Sequence, residues 1–305
     1  MDLDSGILLK LPRNWLLMNE WFPRFPRKEY LRWGKVIHPV TNIVAYIEIL
    51  GTGNAFCPPG RMHALVLIDG KILIDAPPTM MPQLRRQGAQ VREIEHTLFT
   101  HWHADHTFGF PFFLLDRKYI SDSNREFPLS VYVRPGGKEV LSELCRVGFP
   151  GSLEDALEGI IWVEEEECEL KGTDWKFIRF PVCHTPETDP HGYEMVHSSG
   201  FRLLHCGDSG PCEEIEKRAK NADAVILEMG MPDIGEFPHH HRPSDVESFN
   251  YRFPDVKVFV THNYARSENE NEGFLMAKLS PDITQLEDED KIEIDKDGIL
   301  TVIKK

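Results

Sequence analysis

Short apolar runs rich in β-branched residues recur along the chain: Ile43–Leu50, Ala64–Ile68, Ile72–Ile74, Val131–Val133, Ile160–Val163, Phe177–Val182, Phe201–Leu204, Ala224–Leu227 and Val256–Val260. Runs of this length, bounded by glycine, proline and acidic residues, read as strands. Asp69-Gly70 joins two of them and carries the signal of a type I′ hairpin, in which both central residues need positive φ. Ser199-Gly200 and Asp297-Gly298 predict two further hairpins. Between the runs, helical periodicity predicts helices over Met80–Gln87, Lys138–Val147, Cys212–Ala219 and Pro243–Tyr251. The last begins with proline at its first position and with Ser244 and Asp245 in its first turn. Hairpins mixed with helical crossovers predict an α/β sandwich with its sheets inside and its helices outside. The expected organisation is an N-terminal extension over residues 1–40 and one domain over residues 41–305, whose C-terminal tail ends in a hairpin.

Composition leaves this picture intact: of 305 residues, 41% are hydrophobic and 27% charged, an ordinary globular balance. The formal net charge of −15 disfavours a general nucleic-acid surface, which needs a basic stripe to displace counterions. Glu164–Glu167 and Glu287–Asp290 read as solvated faces or turns. The notably basic stretch, Arg24–Arg32, is interleaved with Phe25 and Tyr30 and flanked by Trp21, Phe22 and Trp33. It reads as a packed extension that closes the site or forms a homodimer interface. No signal peptide and no run of about 18 apolar residues is present, so the expectation is a cytoplasmic chain with no membrane partner. Six cysteines without a Cys-x-x-Cys pair read as reduced thiols, with Cys183 and Cys206 expected to be buried.

The chemistry is concentrated in His101-Trp102-His103-Ala104-Asp105-His106, which follows the apolar stretch Thr97–Thr100. Three imidazoles and a carboxylate at one strand end are costly to bury unless something positive offsets their desolvation. His101 and His103 can face one point and Asp105 and His106 a second, which suggests two adjacent metals, each needing further ligands. His184, Asp208 and His262 each end an apolar run and are candidates for them.

These residues resemble the metallo-β-lactamase-fold hydrolases. The resemblance runs in order from Leu50-Gly51-Thr52-Gly53 through Asp75, the His-x-His-x-Asp-His run, His184, Gly207-Asp208-Ser209-Gly210 and Thr261-His262. It implies a four-layer αββα sandwich of two mixed sheets. It further implies that His101, His103 and His184 hold one divalent metal and that Asp105, His106 and His262 hold the other. Asp208 would bridge the two, and Asp75 would support the site from behind. Zinc is the expected metal, with manganese or iron as alternatives. His38, His63, His96, His191, His197 and His205 stand outside this order and read as ordinary histidines.

Two such metals would activate a bridging hydroxide as nucleophile, so hydrolysis is the expected reaction class. Asp105 counts among the catalytic groups as well as the ligands. The stretch His239-His240-His241-Arg242 lies where the phosphodiesterase branch of the family carries a non-ligand histidine regarded as the proton donor to the leaving alkoxide. Of the three, His241 is the expected donor, with Glu228 orienting it. Arg242 and Phe110–Arg117 are expected to shape substrate access. The connection from His184 to Asp208 is nearly filled by the hairpin Gly192–Cys206, leaving no room for the long arm by which the transfer-RNA processing enzymes grip their substrate. A small-molecule substrate, a phosphodiester and possibly a cyclic one, is therefore expected rather than a nucleic acid. The alternatives are a lactonase or thioesterase, a transfer-RNA 3′-processing endonuclease without the usual arm, and a catalytically silent metal-binding module.

Overall fold

A computed structural model describes residues 43–121 and 129–305. The N-terminal extension, with its basic and aromatic stretch and His38, lies outside the described residues.

Two sheets form the interior. The first has eight strands in the order β15-β14-β1-β2-β3-β4-β5-β6. Here β1 is Ile43–Gly51, β2 Leu65–Ile68, β3 Ile72–Ile74, β4 His96–Leu98, β5 Ser130–Tyr132, β6 Ile161–Val163, β14 Lys291–Asp295 and β15 Leu300–Ile303. The second has seven, in the order β13-β12-β11-β10-β9-β8-β7. These are β7 Glu167–Glu169, β8 Trp175–Pro181, β9 His191–His197, β10 Arg202–His205, β11 Ala224–Met229, β12 Lys257–Asn263 and β13 Ile283–Gln285. Each sheet is mixed: β3 to β6 and β10 to β13 run parallel, while the remaining neighbours are antiparallel.

Alternation along each strand builds the layers. In β2, Val66 and Ile68 face the core between the sheets, whereas Leu65 and Leu67 lie in a second core with Met80, Leu84, Phe110 and Leu141. Those four belong to helices α1 (Met80–Gln87), α3 (Phe110–Asp116) and α4 (Gly137–Gly148). In β10, Leu203 faces inward, while Leu204 packs outward with Ile215, Val246 and Phe249. These belong to α6 (Glu213–Ala219) and α7 (Pro243–Arg252). A strand covered on both faces is apolar nearly throughout, which is why β2 and residues 224–227 of β11 read as continuous hydrophobic runs. The result is the expected αββα sandwich; two short helices, α2 (Ala104–Thr107) and α5 (Glu154–Glu158), complete the described set.

The turn signals hold. Asp69 and Gly70 have φ of 50° and 68°, the two positive values that a type I′ turn requires. Pro243 occupies the first position of α7, capped by Arg242. Two elements differ from expectation. β7 begins inside the acidic run at Glu167, because an edge strand with exposed side chains tolerates glutamates. β13, which among the described residues pairs with β12 alone, carries too short an apolar run to signal itself. Cys183 is exposed rather than buried, since it lies in the loop beyond the end of β8; Cys206 is buried as expected.

Candidate metal centre

Every sequence-predicted ligand lies at one rim of the sandwich, in a loop, at a strand end or, for Asp105 and His106, in the short helix α2. The parallel strands β3, β4, β10 and β12 lead into Asp75, the segment from His101 to His106, Asp208 and His262 respectively, and His184 follows the end of β8. Clefts outside the carboxyl ends of parallel strands collect functional groups because the strands hold them rigidly and the loops end there. Two of these residues have left-handed backbone, Asp75 with φ of 69° and His262 with φ of 46°. His262 also interrupts the β11–β12 register, which passes from Glu228–Thr261 directly to Met229–Asn263. Such strained, bulged positions re-aim a side chain and persist only where surrounding contacts over-determine them.

The hydrogen-bond network decides which ring nitrogens are free to ligate. The Thr100 hydroxyl donates to Asp75 Oδ2 at 2.8 Å, so it can only accept from His101 Nδ1, 3.0 Å away. His101 Nε2 is then a lone pair. His184 Nδ1–H donates to the His239 carbonyl at 2.8 Å, which makes its Nε2 a lone pair as well. Both lone pairs converge on His103 Nδ1, at 3.0 and 3.1 Å. One N–H cannot serve both, whereas one cation would serve all three nitrogens. Asp208 Oδ2 lies 3.9 Å from His101 Nε2 and completes this set.

A second set adjoins it. His106 Nδ1–H donates to Asp75 Oδ2 at 2.8 Å, leaving Nε2 facing Asp105 Oδ2 at 3.3 Å and Asp208 Oδ1 at 3.4 Å. His262 Nε2 lies 3.3 Å from both Asp105 Oδ2 and Asp208 Oδ2. Burial opposes a charge on His106, yet Asp208, Asp105 and Asp75 outweigh it and raise its pKa well above the ordinary histidine value. Burial likewise opposes ionisation of Asp105 and Asp208, but the facing imidazoles hold both carboxyls well below the usual range. Buried carboxylates and imidazole nitrogens this close demand positive charge among them, and divalent cations suit such oxygen and nitrogen donors. In each set of four the ligand atoms lie within 4.8 Å of one another, and Asp208 belongs to both.

The ring contacts of Glu228 differ from expectation. His241 is buried, and its backbone N–H rather than its ring meets Glu228, at 3.2 Å. His240 presents its ring instead: Nδ1 is 2.8 Å from Glu228 Oε1, the ring stacks 6.1 Å from that of His262, and it lies 4.9 Å from that of His184. The cause is local: His239 and His240 lie in a turn closed by the His240 N–H to the Phe237 carbonyl, while Arg242 caps α7 just beyond. Glu228 is fixed by backbone N–H groups of Ser209, Gly230 and His241. Burial lowers the His240 pKa, but the Glu228 carboxylate more than compensates and brings it up to about 9.

Arg242 does not reach toward the cleft; its guanidinium pairs with Asp245 and donates to the Gly235 carbonyl. Of the stretch Phe110–Arg117, most forms α3 with Phe110, Phe113 and Leu114 buried and Phe112 exposed. His205, read as an ordinary histidine, lies on the inner face directly behind the ligands.

A family model described as beta-lactamase superfamily domain matches residues 71–262. Human zinc phosphodiesterase ELAC protein 2 is 26% identical over 248 residues, 71% of this chain and 29% of that protein. Ribonuclease Z of Leuconostoc mesenteroides is 30% identical over 155 residues, 47% of this chain and 45% of that protein. The chain thus matches less than half the length of either relative. Among solved structures, a diphosphatase of the PhnP family superposes with a TM-score of 0.60 at 23% identity, covering 82% of this chain and 98% of that one.

Proposed function

The chain belongs to the beta-lactamase superfamily, and from that premise we propose that it is a dinuclear metal-dependent phosphodiesterase acting on a small phosphodiester, with His240 as proton donor. The observation that carries this reading is the Glu228–His240 pair beside two ligand sets that share Asp208. Thioester hydrolysis has less need of such an acid, because a thiolate leaves unprotonated; an alkoxide leaving from phosphorus needs one. The sequence relatives named zinc phosphodiesterase and ribonuclease Z support a phosphodiester and zinc.

Zinc in the two sets would acidify a water and polarise a phosphoryl oxygen. The chain's own residues do the rest. Asp75 orients His106 directly and His101 through Thr100, so one carboxylate sets the tautomers of ligands in both sets. The His239 carbonyl does the same for His184. Glu228 holds the proton on His240 Nδ1, which leaves Nε2–H as the donor available to a leaving oxygen. The contribution of a positioned acid is about 10²–10⁴ in rate.

A small substrate is favoured by the tight hairpin of β9 and β10, which fills the connection between His184 and Asp208 and carries no arm. Cleavage of RNA, as by a transfer-RNA 3′-processing endonuclease without the usual arm, is the second reading, and the relative named ribonuclease Z supports cleavage of RNA. Zinc-loaded protein assayed on bis(p-nitrophenyl) phosphate, cyclic nucleotides, acyl lactones and a precursor transfer RNA separates these readings. Turnover of the small phosphodiesters above all others is expected, and turnover of lactones alone would sink the proposal.

A further inference from the structure

Two thiols come together beside the candidate ligands. Cys183 lies in the loop beyond β8, next to His184, and Cys212 immediately precedes α6. The Cys183 N–H donates to Ser209 Oγ at 3.0 Å, and the Cys183 carbonyl accepts from the Gly210 N–H at 2.8 Å. Those bonds lay Cys183 against the segment that runs from Asp208 to Cys212, and the two thiol groups are within hydrogen-bonding reach of each other. Cys183 is exposed, whereas Cys212 is buried in the outer core with Phe180, Leu204 and Ile215. Neither is bonded to another cysteine.

A sulfur that solvent reaches, beside a second that is covered, can exchange an external disulfide for an internal one. The Cys183 thiol loses its proton and attacks one sulfur of a small disulfide such as oxidised glutathione, releasing one glutathione. Cys212 then attacks Cys183 Sγ and releases the second. Two electrons and two protons pass to the glutathione, and two protein thiols become one disulfide. Burial, followed by contact with the Cys212 thiol, pushes the Cys183 thiol up to about 12, so this exchange is slow and the bond is read at equilibrium. The segments it would join present His184 and Asp208, which share the first ligand set. We propose that Cys183 and Cys212 form a reversible disulfide, by exchange with a small-molecule disulfide, that clamps the His184 and Asp208 segments together and slows the loss of metal. Such a clamp presupposes the ligand sets described above and is indifferent to the substrate they act on.

The full chain, with and without zinc, is equilibrated in glutathione buffers of graded oxidised-to-reduced ratio, quenched with an alkylating agent and mapped by peptide mass spectrometry. A Cys183–Cys212 cross-link should appear as the ratio rises and disappear on reduction. Zinc transfer to a chelator should be about 10-fold slower from the oxidised protein than from the reduced one. That difference should vanish in Cys183→Ser and in Cys212→Ala, whose zinc content when reduced is measured alongside. No readout involves turnover, so the clamp and the phosphodiesterase reading fail separately. Glutathione left on Cys183 as a mixed disulfide overturns the inference, as do a bond from Cys212 to Cys206 instead and equal zinc release from the two redox states. Reduced protein that takes up no zinc overturns the clamp and the metal centre together.

Discussion

At His240, the proton donor proposed above, one hydrogen bond to Glu228 raises the ring's pKa. The ordinary histidine pKa of 6.5 is raised to about 9 by Glu228, so the proton stays on through neutrality and leaves only as pH rises through about 9. A pH–rate profile on a substrate with a poor leaving group should hold to about pH 9 and fall above it. Glu228→Gln removes the raising partner and should bring that alkaline limb down toward the unperturbed value, about 6.5. His240→Ala should cut turnover of alkyl phosphodiesters about 10²–10⁴-fold and leave p-nitrophenyl substrates much less affected. Equal losses would mean that the imidazole does not protonate the leaving group. Gly230 offers a finer probe, because a Cβ there would stand 2.8 Å from Glu228 Oε2 and 2.9 Å from His240 Nδ1. Gly230→Ala should lower kcat by about 10²-fold with unchanged zinc content measured by metal analysis, since an ångström of misplacement costs about that much.

At the scale of elements, the loop from Gly230 to Arg242 is strapped to the start of α7. Arg242 pairs with Asp245, and Ser244 donates to Asp233 through both its backbone and its hydroxyl. Asp233→Ala cuts one strap without touching the cleft. It should lower kcat about tenfold through His240 placement, with KM and thermal midpoint little changed; stopped assays and a melting curve check this. The same strap explains what was legible in the sequence. His101, His103, His106, His184, Asp208 and His262 could be found because each ends or follows an apolar run, and the ends of strands register with the ends of runs. That the ring of His240 and the backbone of His241 meet Glu228 is a matter of one residue that no run resolves. The edge strand β7 was hidden because its glutamates are free to face water.

For the whole molecule, the C-terminal segment is part of the frame rather than a tail. Arg61 is buried and donates to the Leu286 carbonyl and to Glu287, while Asp288 accepts from the Thr52 hydroxyl and the Met62 N–H, each at 2.7 Å. These contacts fix residues 52–62, whose bridge from Gly53 to Asn263 lies next to His262. Asp288→Asn should destabilise the fold by about 1–3 kcal/mol in denaturant titration. Removal of everything after Gln285 should abolish cooperative unfolding, because it strands a buried guanidinium and takes away β14, the neighbour of β1.

That pairing of β1 with β14 has a consequence for synthesis. The first strand waits for one that leaves the ribosome some 240 residues later, and the donors of the metal centre are spread from His101 to His262. A nascent chain therefore exposes the densest part of its ligand set long before the partners that define its geometry exist. Loops this long close slowly. Metal captured early would be held by a floppy, incomplete chelate, and only completion of both sheets turns that chelate into a site. A metal held as proposed would thus find its full donor set only late in synthesis, once the strands that carry Asp208 and His262 have emerged.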